Sequence, residues 1–360
     1  MNDKSILYIV ATQYDNMGDL LINKCLIDLL SVNRIVYLDC KNVPEDFKNI
    51  LLESKNVKEF STISKFSLKG LGLIFIPFSN FGFSHIFKSP GPFGGAKNLN
   101  DKIRYLLFYF IYKTFHLKHT EPVLIGNDLI IDSAFDKWFW NRLSSFMSNI
   151  YVRSHLNLKV FSDNGIRASY SPDMCFLLSN ASKVRKMEKN KICISFRDLN
   201  ESIYERELIE SLQIAINYYS LLNYSIEFFY QVSRDKDFNK KLYNLFANNS
   251  NIIFRDEVLT WSERDYYSEF DFVISNRLHV LLLAQCNGVI PIGLINNNVK
   301  TNKISNIYSS IGMDNHIFYS INTDDLDSFV INKNLIREQI ISINKIQHDL
   351  IIDNIDYILS

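Results

Sequence analysis

The chain has 360 residues, of which 47% are hydrophobic and 22% charged, with Lys+Arg and Asp+Glu balanced at 39 each. That length exceeds one ordinary core and predicts two domains of similar size, and the apolar content excludes a disordered chain. Zero net charge argues against nucleic acid as a partner, while two or three arginines in a cleft would still hold a small anion.

In chain order, strands are expected at 6–11, 35–38, 73–78, 122–125 and 150–152, then at 192–196, 226–230, 252–254, 272–275 and 289–293. Most are continuous apolar runs rather than alternating ones, which suits strands covered on both faces of a parallel sheet. Helical patterns fall at 19–30, 101–115, 203–221, 278–286 and 335–357. This alternation predicts an α/β protein of two Rossmann-like, doubly wound domains. The expected division is 1–182, 183–334, and a helix at 335–360 packing back across both. The polar stretch 179–191 marks the break, and its basic run Lys183-Val184-Arg185-Lys186 reads as a solvated linker. Ligands of open α/β sheets bind at the carboxyl ends of strands, so the active site is expected in a cleft between the domains.

The five cysteines (Cys25, Cys40, Cys175, Cys193, Cys286) are scattered and form no C-x-x-C pair. Reduced thiols and a cytoplasmic setting follow as expectations. Met1-Asn2-Asp3-Lys4 lacks the features of a signal peptide, and no run approaches the ~20 apolar residues of a membrane span.

The first element that could carry chemistry is Asn16-Met17-Gly18-Asp19, directly after the first strand and opening the first helix. Gly18 lets the turn approach a ligand closely, and Asp19 either receives a sugar hydroxyl or caps the helix. The second runs Ile274-Ser275-Asn276-Arg277-Leu278-His279, where a buried strand ends in a polar turn and an apolar helix begins. Arginine grips carboxylate or phosphate with two parallel hydrogen bonds, and histidine can pass a proton near neutral pH. Both stand where such folds keep their ligands. His116-Leu117-Lys118-His119 has helical metal spacing but no supporting acidic cluster, so a surface pair is expected. The aromatic stretch 103–115 reads as a core helix, with a membrane-surface contact as the alternative.

Ile274 to His279, continuing to Gly288-Val289-Ile290-Pro291-Ile292-Gly293-Leu294, resembles the signature of the polysaccharide pyruvyl transferase family. Collinear elements agree. Asn16 to Asp19 resembles the family's Asn-x-Gly-Asp element, and Tyr151-Val152-Arg153-Ser154 through Asn164-Gly165-Ile166 its Arg-containing strand and following helix. Ser171-Pro172-Asp173 with Phe176 is similar to its Asp-Pro-x-Phe turn with two residues exchanged. Ile194-Ser195-Phe196-Arg197 resembles the strand opening its second half, and Lys303 matches a family lysine.

The resemblance implies a GT-B-like pair of domains facing each other across a cleft. It implies transfer of a pyruvyl group from phosphoenolpyruvate to a sugar of a bacterial surface-polysaccharide precursor (exopolysaccharide or capsule), forming a pyruvate ketal. Arg277 and Arg197 would hold the donor with Lys303 on its phosphate, and Arg153 is a further donor candidate whose alternative is a structural ion pair. His279 would be the general acid, Asp19 would place or deprotonate the acceptor, and Asn16 and Gly18 would contact it. No cofactor or metal is expected. A lipid-linked acceptor would bring the enzyme to the inner face of the membrane. Two departures lie in the first half: Phe78-Ser79-Asn80-Phe81-Gly82-Phe83 and Gly126-Asn127-Asp128-Leu129 stand where the family commonly has glycine-rich turns. They leave open a glycosyltransferase that uses a nucleotide sugar on the same frame. A non-catalytic scaffold is the third reading.

Overall fold

Continuous apolar runs become inner strands of two parallel sheets, and the polar ends of those runs become the loops that carry chemistry. The computed structural model describes residues 5–62, 82–179, 189–297 and 302–360. The expected strand at 73–78, the segment Phe78 to Phe81 and the basic run Lys183 to Lys186 lie outside them. So does most of the expected break between domains. The chain forms two compact units: Met1–Tyr14, Asp19–Met174 and Leu350–Ser360 make the first, Asp15–Gly18 and Cys175–Asp349 the second.

The first unit runs β1 (Ile6–Ile9), α1 (Met17–Ser31), β2 (Val36–Asp39), α2 (Glu45–Leu51), β3 (Val57–Glu59), β4 (His85–Lys88), β5 (Gly91–Gly94) and α3 (Leu99–Leu117). It continues with β6 (Glu121–Ile130), α4 (Ala134–Ser144), β7 (Asn149–Val152), α5 (His155–Asp163) and β8 (Ser169–Tyr170). Its strands lie in the order β3-β2-β1-β4-β6-β7-β8, with β5 paired to β6. A core of large side chains, among them Tyr112, Phe115, Phe139, Trp140 and Phe161, fills the space between the sheet and α3, α4 and α5.

The glycine-bearing stretches of this unit differ from expectation. Gly126-Asn127-Asp128-Leu129, expected as a turn, lies inside β6, whose register with β7 shifts between Leu124 and Asn127. Gly126 there has φ +70, a backbone that side chains strain to adopt. Beyond the shift β6 pairs with β5, Gly91 opposite Asn127. Asn127 is buried and its amide donates to the carbonyls of Ser89 and Gly91, tying the two segments together. Strands β3, β4, β5, β8 and β14 (Ile317–Phe318) are also additions to the expected set. They are short, glycine-rich or, in β4, bounded by His85 and Lys88, so apolar run length does not reveal them.

In the second unit come β9 (Lys191–Ser195), α6 (Ser202–Leu221), β10 (Ser225–Phe228), α7 (Lys236–Phe246), β11 (Ile252–Phe254), β12 (Phe272–Ser275) and α8 (Leu278–Cys286). Then follow β13 (Ile290–Leu294), α9 (Lys303–Ser310), β14, α10 (Thr323–Ile331) and α11 (Lys333–Leu359), whose residues from Leu350 on belong to the first unit. The order β11-β10-β9-β12-β13-β14 is parallel throughout. Helix α6 buries Leu208, Leu212, Ala215 and Tyr219, a stripe at the three- and four-residue spacing of one helical face. Helix α8 is buried at every position except His279. The sheet thus holds β12 at its centre, and the turn after β12 opens at the strands' carboxyl ends.

Candidate active site

Strand β12 is buried at all four positions and sits between β9 and β13, with Ser275 opposite Ser195 and Gly293. The turn that follows is only Asn276-Arg277. Ser275 Oγ donates to the Ser195 carbonyl and accepts from the Arg277 N–H at 3.0 Å. Asn276 reaches across to the end of β9: its Oδ1 accepts from the Arg197 N–H at 2.7 Å, and its Nδ2 donates to the Arg197 carbonyl at 2.9 Å. One residue earlier Asn239, wholly buried on α7, does the same to Phe196, both contacts at 2.8 Å. The strand end carrying Arg197 is therefore clamped from two sides by asparagine side chains, and Arg197 is brought beside Arg277.

Arg277 adopts an extended backbone as the first flanking residue of α8. Its guanidinium donates to Asp235, whose side chain is 4% exposed. Burial pushes the Asp235 carboxyl above its ordinary range, against the pull of Arg277, Arg234 and Arg197. Burial likewise works against the charge of Arg277, and Asp235 offsets it. Three guanidiniums thus act on Asp235, and with Asp15 beside Arg234 the cluster keeps a net positive charge suited to an anion. Arg197 is exposed, and Arg234 also stands 3.9 Å from Asp15.

A cavity of about 290 Å³ is lined by Arg197, Asn276, Arg277, Asn296 and Lys303. Lys303 is the first residue of α9, whose start is capped by Asn302 accepting from the Ile304 N–H at 2.9 Å. Sites for drug-sized ligands run to roughly 300–1,000 Å³, so this one suits a compact anion. A larger hollow of about 620 Å³ lies by His316 and α11, and its lining holds no Lys or Arg.

His279 occupies the first turn of α8 and is half-buried. Gly18 abuts it: a Cβ added there would fall inside 3.0 Å of the imidazole. The Asn16 side chain accepts from the Gly18 N–H at 3.0 Å, and the Asn16 backbone bridges to Val232, just before Arg234. Among the sequence candidates the second unit therefore assembles Arg277, Arg197, Lys303, His279, Asn16 and Gly18.

Asp19 and Arg153 belong to the first unit. The Asp19 carboxylate accepts from the Thr12 hydroxyl at 2.8 Å and from the Gln13 N–H at 3.2 Å. Arg153 is 2% exposed and held by Asp128 and by Asp173, the latter at 2.7 Å. Burial opposes its charge, and the two carboxylates outweigh burial and keep it cationic. Arg234, Asp235 and Asn239 escaped the sequence reading. Gln231-Val232-Ser233-Arg234-Asp235 lies just past β10, so the positional rule that picked out Arg277 applies to it as well.

The family model for polysaccharide pyruvyl transferase matches residues 16–298. No curated protein matches the sequence. Solved structures share the fold at low identity. UDP-GlcNAc 2-epimerase from Neisseria meningitidis, bound to UDP-GlcNAc, aligns with TM-score 0.61 and 9% identity over 98% of this chain and 100% of that one. HepE from Anabaena in complex with UDP gives 0.58 and 12%, covering 98% of each chain. MurG from Acinetobacter baumannii gives 0.53 and 12% over 98% of this chain and 99% of that one. These neighbours and the two parallel sheets define a GT-B-like architecture of two Rossmann-like domains. With the match spanning most of its length and containing Arg197, Arg277 and His279, the chain belongs to the polysaccharide pyruvyl transferase family.

Proposed function

We propose that this transferase moves the pyruvyl group of phosphoenolpyruvate onto two hydroxyls of a sugar in a bacterial surface-polysaccharide precursor, forming a cyclic ketal. The observation that carries the reading is the clamp of Asn276 on Arg197, which sets Arg197 beside Arg277 at a small cavity with Lys303 at its edge. The donor's carboxylate and phosphate need at least two cations, and arginine forks match both groups. His279 adds a proton to the methylene carbon, which becomes the methyl group. The first sugar hydroxyl bonds to the former enol carbon and loses its proton. The second displaces phosphate from the same carbon and gives its proton to the leaving phosphate, leaving the ketal and inorganic phosphate.

In this reading Arg197 and Arg277 hold the donor, Lys303 attends its phosphate, and Asn16 and Gly18 contact the acceptor. Asp19 places or deprotonates an acceptor hydroxyl. Side chains and donor suffice for the transfer, so it calls on no cofactor. The five cysteines are buried and form no disulfide with one another, which fits a reducing cytoplasm. No helix among the described residues is long and apolar enough to cross a membrane.

A nucleotide-sugar glycosyltransferase is the second reading, favoured by neighbours solved with UDP and UDP-GlcNAc. Fold alone does not fix chemistry, and the ligand decides. The test is a thermal-shift panel of phosphoenolpyruvate, UDP, GDP and CMP on the wild type and Arg277→Ala. A ligand at about 100 times its dissociation constant stabilises by ~2.7 kcal/mol. Stabilisation by phosphoenolpyruvate, lost in Arg277→Ala, supports pyruvyl transfer; the same pattern with a nucleotide overturns it.

A further inference from the structure

We propose that the outer face of α3 is a docking surface for an anionic lipid bilayer. The helix has two apolar faces. One buries Ile111, Tyr112 and Phe115 in the core of the first unit. The other presents Leu99 (72% exposed), Ile103 (47%), Phe110 (56%) and Leu117 (67%) to solvent. At 3.6 residues per turn these four fall within an arc of roughly 40°, forming a stripe about 27 Å long. A helix with one side on a core normally carries polar residues on the other, and soluble monomers rarely leave contiguous apolar patches of this kind.

Neighbouring rings widen the stripe. Trp138 on α4, 41% exposed, has its ring 6.3 Å from that of Tyr109, and Tyr109 packs edge-on against Phe110 at 5.4 Å. Trp and Tyr at the margin of an apolar surface suit the boundary between lipid headgroups and acyl chains.

Charge selects the occupant. The whole chain is neutral, yet residues 97–118 carry five cations (Lys97, Lys102, Arg104, Lys113, Lys118) against one acid, Asp101, a net charge of +4. Lys102 and Lys113 lie over the rings of Phe135 and Tyr109, both at 5.7 Å, so their ammonium groups stand at the rim of the patch. An apolar stripe flanked by lysines matches a surface whose headgroups are negative and whose interior is hydrocarbon. It matches neither an apolar nor a cationic protein partner as well. The inference rests on exposure and charge in the first unit and does not depend on which donor the second unit binds.

The test is co-sedimentation of the full chain with vesicles of phosphatidylcholine alone and of phosphatidylcholine mixed equally with phosphatidylglycerol. The wild type should pellet with the mixed vesicles only, and less as salt rises. Phe110→Asp with Leu117→Asp should abolish pelleting. Lys102→Gln and Lys113→Gln should each weaken it roughly fivefold. Circular dichroism and the melting midpoint show whether the variants stay folded; should the aspartate pair unfold, Phe110→Ser with Leu117→Ser repeats the measurement. Wild type left in the supernatant, or variants that pellet like it, would overturn the proposal. A solution dimer broken by Phe110→Ser would overturn it too, because a second copy would then cover the face.

Discussion

Asp235 accepts a hydrogen bond from the guanidinium of Arg277 while nearly sealed from water. The backbone of Asp235 is held in its turn, since Asn239 donates to the Asp235 main-chain carbonyl at 2.8 Å while gripping both backbone groups of Phe196. Arg277 thus points where the β9 and β10 ends together hold it. Replacing Asp235 by Asn removes the charge from a charge-assisted hydrogen bond, a loss of about 1.5–3 kcal/mol, or roughly ten- to a hundredfold in an equilibrium. The expected outcome of Asp235→Asn is a rise of that order in KM for phosphoenolpyruvate with a smaller change in kcat. Steady-state kinetics with the donor varied checks it. Equal losses in kcat and kcat/KM would instead place Asp235 in the chemical step.

Gly18→Ala brings a methyl group into the space of the His279 ring, and the ring must turn away. If His279 is the general acid, kcat should fall toward the limit for losing such a group, about 10²–10⁴-fold, while donor binding by thermal shift is kept. Gly82→Ala is the control, because a Cβ there meets nothing within 4 Å among the described residues. Unchanged turnover in Gly18→Ala would remove either the close approach or the role of His279.

Much of this site is legible in the sequence because its parts follow one rule. Arg277 and His279 come just after a buried apolar run, and Arg197 just after another, and such positions are strand ends in any doubly wound fold. The clamp is not legible: Asn239 and Asn276 are polar residues whose partners are backbone atoms of a distant strand, and no spacing reveals that. The place of Asp235 just past β10 follows the same rule, but its pairing with Arg277 is hidden, since 42 residues separate the two. In the first unit, β5 and the far half of β6 are missed for a different reason. Their glycines signal turns, yet here they make the irregular pairing around Asn127. The aromatic pattern of α3 shows that one face is core but not that the other remains exposed.

His316 offers a pH-dependent test of stability. It is 3% exposed, its Nδ1 lies 2.8 Å from the Pro291 carbonyl, and burial pushes its pKa from 6.5 down to about 4. The fold therefore favours the neutral ring. Its contribution is fully present above pH 6.5 and is lost as pH falls through about 4. At ~1.4 kcal/mol per pH unit, that is about 3 kcal/mol across the window. Denaturant unfolding from pH 7 to pH 4 should show the wild type losing stability more steeply than His316→Gln. Parallel curves would mean that the imidazole stays accessible to protons in the folded chain.

Arg153 separates a structural role from a ligand-binding one. It lies between Asp128 and Asp173, and its removal leaves two carboxylates facing each other, Asp173 only 1% exposed. Breaking a buried pair by deleting one partner costs about 3–5 kcal/mol, because the stranded charge has no water to turn to. Arg153→Met should therefore lower the melting midpoint sharply, and Arg153→Met with Asp128→Asn and Asp173→Asn should recover much of the loss, since neutral amides need no counter-charge. The triple variant also tests the donor role, because it restores the fold without restoring the guanidinium. Phosphoenolpyruvate should still shift its midpoint if Arg153 is only a tie between β6, β7 and the loop after β8. A recovered fold that no longer responds to phosphoenolpyruvate would make Arg153 a donor ligand, as its place in the family motif implies.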